Sequence, residues 1–315
     1  MSAGGERMRG RWADALRAFI AERRACGYAY GRSHVCACER LCSFLGERDM
    51  DEAAFAEWVA PRDGEACRTR ANRVGLWNVF AGFCARRDIE AGSLRADVRL
   101  ESDFVPHIYT DEEASAVFSA ADAGIAQRRS PYEPSLIMPA FVRLLYSTGL
   151  RFSEAAGLRW DDVDGRRLSV LGKGGKPRLV VMSASMAEVL ERYRGLRVGG
   201  GGGLVFCGRE GGPLQNQLVG TWHRTLLDSA GVRRADGAYP RLHDWRHTFA
   251  VGALARMDAA GVDVRAALPV LSRYMGHCGP KETEWYLRLT DEGRAGVLER
   301  MELYAPHVAP GLGGV

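Results

Sequence analysis

The apolar positions of this chain recur mostly at helical spacing. Trp12, Leu16, Phe19 and Ile20 fall three to four apart with arginines on the other sides, and Val35, Cys38, Leu41, Cys42 and Leu45 repeat the pattern. That period predicts amphipathic helices across residues 11–48, with Gly27 and Gly31 marking a break between two of them. A short helix is expected over 51–59, ending before Pro61. The longest run is Thr69 to Arg87: Val74, Trp77, Phe80, Phe83 and Cys84 define a core face, and Arg68, Arg70, Arg73, Arg86 and Arg87 a polar one. Residues 1–100 therefore read as a bundle of four or five helices.

Residues 89–106 lose the periodicity and read as a linker. Thr110-Asp-Glu-Glu113 is a helix start, with Thr as N-cap and Glu three residues on; a helix to about Ala121 and another over 137–147, ended by Gly149, follow. Strands are expected at Arg167–Val170 and Leu179–Met182, closed into a hairpin by Gly172-Lys-Gly-Gly-Lys-Pro177. A helix (184–197), a run of five glycines (199–203) read as a surface loop and a short third strand (Leu204–Cys207) come next. Helices are expected at 218–227, 243–257, 264–275, 281–289 and 291–303, and the Gly/Pro-rich tail from Pro306 is expected to be disordered. The fold class is thus mainly α with a small antiparallel β-sheet: a helical domain 1–100, a mixed α/β domain 101–305, and a tail 306–315.

At 315 residues, 46% hydrophobic and 26% charged, the chain has ample material for two cores. No run approaches the ~18 apolar residues of a membrane span, and Met1-Ser-Ala-Gly-Gly-Glu-Arg-Met8 lacks the apolar centre of a signal peptide. A cytoplasmic protein is expected. The net charge of +4 fits a nucleic-acid partner without requiring one. The eight cysteines lack a secretory pairing pattern. His34, Cys36, Cys38 and Cys42 do not match a common zinc spacing, and core packing is the preferred reading. No metal or other cofactor is expected.

Basic-residue usage changes the picture. Of 43 basic residues only three are lysines, and two of those, Lys173 and Lys176, share the hairpin turn; the third is Lys281. Lysine can give up a proton where arginine cannot, so the pair points to proton transfer. Gly172-Lys-Gly-Gly-Lys-Pro177 lacks the P-loop frame and precedes a strand, so nothing asks for ATP. His243 and Arg246, three apart, project from one helix face. His277 and Tyr286 flank Gly279-Pro280, which interrupts any helix. Arg151 follows the Gly149 break closely, and Glu154 stands where it can orient the guanidinium. Cations, a base and a hydroxyl nucleophile are what an attack on a phosphodiester needs.

The ordered set Thr148-Gly-Leu-Arg151-Phe-Ser-Glu154, Val170-Leu-Gly-Lys173-Gly-Gly-Lys-Pro-Arg178, His243-Asp-Trp-Arg246, Gly276-His277 and Tyr286 resembles the signature of the tyrosine recombinases, the phage-integrase family. The resemblance spans roughly residues 104–303. It implies a core-DNA-binding domain followed by a catalytic domain, with Arg151, Lys173, His243, Arg246, His277 and Tyr286 catalytic and Glu154 supporting. Tyr286 would attack a backbone phosphate, Arg151 and Arg246 would bind its nonbridging oxygens, His243 (near the ordinary imidazole pKa) would accept the tyrosine proton, His277 would hydrogen-bond the phosphate, and Lys173 would protonate the leaving 5′-oxygen. Lys176 and Tyr274 are the rivals for the last acid and for the nucleophile, Tyr274 being better read as core. Trp285 beside Tyr286 reads equally well as core.

The implied partners are double-stranded DNA recombination sites, a tetramer of the chain on that DNA, and an accessory directionality factor, in a bacterial cytoplasm at the nucleoid. A simple two-domain enzyme without an arm-binding domain is expected. A mobile element is the implied context. A type IB topoisomerase and a catalytically silent DNA-binding protein are the competing readings. Trp222, His223 and Arg224 are candidates to face DNA.

Overall fold

The fold follows from where the periodic faces find partners. The computed structural model describes residues 8–28, 30–92, 105–125, 132–172, 175, 177–197, 203–208 and 210–276, and its contacts divide into two units, Met1–Phe104 and Val105–Val315.

The first unit contains α1 (Ala13–Ala25), α2 (Arg32–Leu45), α3 (Glu52–Val59) and α4 (Cys67–Ala85). Every apolar position named above for these helices is buried, and all but Val74 belong to one core. Its centre is aromatic: Trp12 and Phe19 meet Phe80 edge-on, at ring-centroid distances of 6.2 and 5.6 Å. Asp51 caps α3 by accepting from the Ala54 amide at 2.8 Å. Cys38 and Cys42 point into this core while His34 lies outside it, stacked on Tyr30; burial pushes the Cys38 thiol up to about 12. Arg73, on the polar face of α4, is nonetheless withdrawn from solvent. It forks onto Glu65 at 2.9 and 2.6 Å and donates to the Ala60 carbonyl at 3.0 Å, because the α3–α4 connection folds over α4 and supplies acceptors there.

The second unit is built around α6 (Pro134–Thr148), whose length is apolar on most sides. Helices α5 (Asp111–Ala123), α8 (Ala184–Leu196), α9 (Asn216–Ala230) and α10 (Asp244–Ala259) all pack against it. The capping box of α5 forms as its sequence implies: Thr110 Oγ1 accepts from the Glu113 amide at 3.2 Å, and Glu113 accepts from the Thr110 amide at 2.9 Å. A one-turn helix, α7 (Phe152–Ala156), and a 3-10 turn (Trp160–Asp162) lead into a meander of β1 (Val163–Asp164), β2 (Arg167–Leu171) and β3 (Pro177–Val181), antiparallel in the order β1-β2-β3. In the β2–β3 register Leu168 faces Val180 and Val170 faces Arg178. Leu168, Val170 and Val180 turn inward to the core. Helix α11 (Val264–Met275) packs on α10 and β3.

The expected third strand at Leu204–Cys207 does not form as a strand. The segment makes two separate bridges, Arg159 with Leu204 and Cys207 with Pro213. Val205 and Phe206 are buried between them, so apolar burial, not a continuous ladder, explains the sequence pattern. The linker core, the glycine run up to residue 202, the helices expected at 281–289 and 291–303, and the tail lie outside the described residues.

Candidate active site

Gly149 ends α6 with φ +64°, the left-handed backbone that a Cβ disfavours. Space makes the same demand: a Cβ there would sit 2.4 Å from Phe249 Cδ1. This close approach lets the chain turn straight into Arg151 and α7. Glu154, at the third position of α7, accepts from the Arg151 amide at 2.8 Å and from Arg151 Nη1 at 3.0 Å. The sequence placed this pair together, and the helix start fixes how.

The segment opening α10 is held by a buried carboxylate. Asp244 accepts from the Arg241 amide at 2.8 Å and from Arg241 Nη2 at 3.1 Å. Behind it, Trp245 lies parallel to Tyr109 at 3.8 Å between centroids, and its indole N–H donates to His223 Nε2 at 3.0 Å. Indole is a donor only, so Nε2 is the unprotonated nitrogen of His223. Burial pushes the pKa of that histidine down to about 3, with Arg224 adding to the effect. Trp222 and His223 are therefore core residues and not a DNA-facing pair: the apolar face of α9 carries them inward, and only Arg224 of the three is exposed.

The C-terminus of α11 draws the site together. A helix leaves its last carbonyls without intrahelical partners and carries partial negative charge at that end. Here Arg178 Nε donates to the Tyr274 carbonyl at 2.8 Å, Arg246 Nη2 to the Met275 carbonyl at 2.6 Å, and Arg151 Nη2 to the Gly276 carbonyl at 3.1 Å. Three arginines from three parts of the chain thus take three successive carbonyls. Arg246 also donates to the Gly149 carbonyl at 2.7 Å. Arg178 forks onto both oxygens of Glu154, each at 2.8 Å. Burial alone would raise the Glu154 carboxyl; Arg178 and the Arg151 amide and guanidinium outweigh it and hold it below the usual carboxylate range.

His243 lies in the positive field of this cluster. Desolvation first, then Arg246, Arg241 and Arg151, lower its pKa to about 4. The ring is therefore neutral at pH 7. That differs from the near-ordinary imidazole expected, because desolvation and then the neighbouring arginines oppose a further cation. The His243 and His247 rings meet edge-on at 4.8 Å.

The structure brings Arg151, Glu154, His243 and Arg246 to one place. Lys173, Lys176, His277, Trp285 and Tyr286 lie outside the described residues. Tyr274 is tied into the fold: its hydroxyl donates to the Val181 carbonyl at 3.4 Å and its ring stacks on Phe249. Arg178 carried no expected role. Its signal was strand phase: it alternates with Leu179 and shares the inward face with Val180, where an arginine is out of place without a partner. Among the described residues no group of three or more His, Cys, Asp or Glu is arranged to hold a metal ion, and no helix is long and apolar enough to cross a membrane.

The second unit is largely helical with a three-stranded meander, and its arginines converge at the end of α11 beside His243. The sequence profile of the phage integrase family matches residues 111–292. The chain is 35% identical over 250 residues to the integrase/recombinase y4rB of Sinorhizobium fredii strain NGR234, covering 74% of this chain and 77% of that protein. It is 36% identical over 249 residues to the tyrosine recombinase XerC of Xylella fastidiosa strain M23, covering 76% and 77%. Among solved structures it is similar to the XerH site-specific recombinase bound to its difH substrate, with a TM-score of 0.61 and 19% identity over 89% of this chain and 83% of that one. It is also similar to a lambda integrase dimer bound to a COC′ core site, with a TM-score of 0.60 and 15% identity over 87% and 76%. The chain belongs to the phage integrase family, the tyrosine recombinases.

Proposed function

We propose that this chain is a site-specific DNA recombinase that cleaves and rejoins strands through a 3′-phosphotyrosyl intermediate. The observation that carries the reading is the joining of Arg151 and Arg246 at the end of α11 beside a neutral His243. The Tyr286 hydroxyl attacks a backbone phosphorus, the P–O5′ bond breaks, and the 3′-phosphate remains on the tyrosine. His243, neutral before the reaction, takes the tyrosine proton. Lys173 delivers a proton to the departing 5′-oxygen. Arg151 and Arg246 hold the charge that gathers on the nonbridging oxygens, which planar, permanently charged guanidiniums suit, and His277 hydrogen-bonds the same phosphate. Attack by a partner strand's 5′-hydroxyl reverses the step. The covalent bond conserves the energy of the broken one, so no ATP is consumed.

In this reading the residues before the linker form the core-DNA-binding domain, and four copies assemble on two recombination sites of a mobile element at the bacterial nucleoid, with an accessory factor setting direction. Phosphate contacts supply most of the affinity, which falls steeply with salt.

The test is covalent trapping in EDTA on nicked duplexes tiled across the DNA that flanks the protein's own gene. The wild type should leave a denaturation-resistant adduct at one site and Tyr286→Phe none. An adduct that persists in the variant moves the nucleophile, with Tyr274 next. Tight binding without any adduct favours a silent DNA-binding protein.

A further inference from the structure

Arg178 joins three segments that are far apart in sequence. Its fork grips Glu154 at 2.8 Å on each oxygen, and its Nε holds the Tyr274 carbonyl at 2.8 Å. Its side chain is only 11% exposed. The same carboxylate accepts from Arg151, so a single Glu154 fixes both guanidiniums. Gly276 permits the approach: a Cβ there would meet Arg178 Nη1 at 3.1 Å.

The position of Arg178 in the sheet gives this anchoring a direction. It pairs with Val170, and the next pair, Leu171 with Pro177, is the last before the 172–176 loop. That loop carries Lys173. Whatever holds Arg178 therefore holds the base of the hairpin one residue pair from the loop. A planar fork resists both sliding and rotation of the strand; an ammonium, a single point donor, would resist neither.

We propose that Arg178 is a positioning residue that sets where the hairpin presents Lys173, so that protonation of the leaving 5′-oxygen, and not phosphate binding, depends on it. This rests on the role given to Lys173 above. Breaking P–O5′ without a proton would expel an alkoxide. A duplex with sulfur in place of the bridging 5′-oxygen expels a thiolate instead, which is stable near neutral pH and needs no acid.

The experiment measures single-turnover adduct formation on the mapped nicked duplex, with oxygen or sulfur at the bridging position, for wild type, Arg178→Lys, Arg178→Ala and Lys173→Ala. Gel shift and thermal melting are run alongside. Arg178→Lys should lose on the order of a hundredfold on the oxygen duplex, as for a displaced general acid, and return to near the wild-type rate on the sulfur duplex with unchanged DNA affinity. Lys173→Ala should follow the same pattern. An equal loss on both duplexes overturns the assignment, as does a loss of folding in both Arg178 variants. A wild type that forms no adduct on either duplex overturns the recombinase reading itself and this inference with it.

Discussion

Replacing Glu154 by Gln tests whether the carboxylate holds the site together. The side chain is 3% exposed and accepts four hydrogen bonds between 2.8 and 3.0 Å, two from Arg151 and two from Arg178. Glutamine keeps the shape but turns one acceptor into an N–H₂ facing guanidinium donors, and it removes the charge that neutralises Arg178. Removing one partner of a buried pair costs about 3–5 kcal/mol. Arg178 keeps its bond to Tyr274 and some contact with water, which places this case near about 3 kcal/mol. At 1.4 kcal/mol per decade that is roughly a hundredfold or more in an opening equilibrium. Hydrogen exchange read on peptides from α11 and β3 should accelerate by that factor, while peptides from α1 stay unchanged. An acceleration below about fivefold, under 1 kcal/mol, would refute the reasoning. The gap should also close in acid. Because the folded carboxyl titrates below its ordinary value, its contribution is present above pH ~4.3 and fades as pH falls through the folded pKa.

Two more outcomes test the frame around the site. Gly149→Ala combines a strained left-handed residue, about 1–2 kcal/mol, with a Cβ 2.4 Å from Phe249; a loss of about 3 kcal/mol in urea unfolding is expected, and one under 1 kcal/mol would mean the turn relaxes freely. His223 is neutral with its pKa near 3, so between that value and ~6.5 the unfolded chain binds the extra proton and stability falls as pH falls. His223→Gln does not titrate, and the wild-type advantage over it should shrink by about 3 kcal/mol from pH 7 to pH 4; a gap that stays constant would show that His223 is not held neutral.

What was legible in the sequence were features with a period or a residue-type signal. The faces of α1, α2 and α4 could be read because burial repeats at helical spacing, and the Thr110 capping box because it is local. Arg151 with Glu154, and His243 with Arg246, were legible because each pair is three residues apart. What joins the pairs was not. The acceptors at Tyr274, Met275 and Gly276 are main-chain carbonyls, which every residue has, and only the end of α11 leaves them open. Leu204–Cys207 misled because apolar burial without a ladder has the composition of a strand. Trp222 and His223 stayed undecided because two aromatic rings beside an arginine look alike whether they face a core or a nucleic acid, until the helix is rotated into place.

The end of α11 also explains why the site uses arginine so heavily. Each guanidinium has five donors in one plane. Arg151 gives one nitrogen to Glu154 and another to Gly276, and Arg246 gives one to Gly149 and another to Met275. A lysine that held the helix end would turn its single nitrogen toward it. An arginine can hold the helix end with one edge and keep its charge delocalised over the whole plane, so structure and anion binding need not compete for one atom. Gly276 leads directly into His277, and Gly172 into Lys173. Arg151 therefore holds the carbonyl of the residue before His277, and Arg178 holds the β2–β3 pairing at Val170, three residues before Lys173.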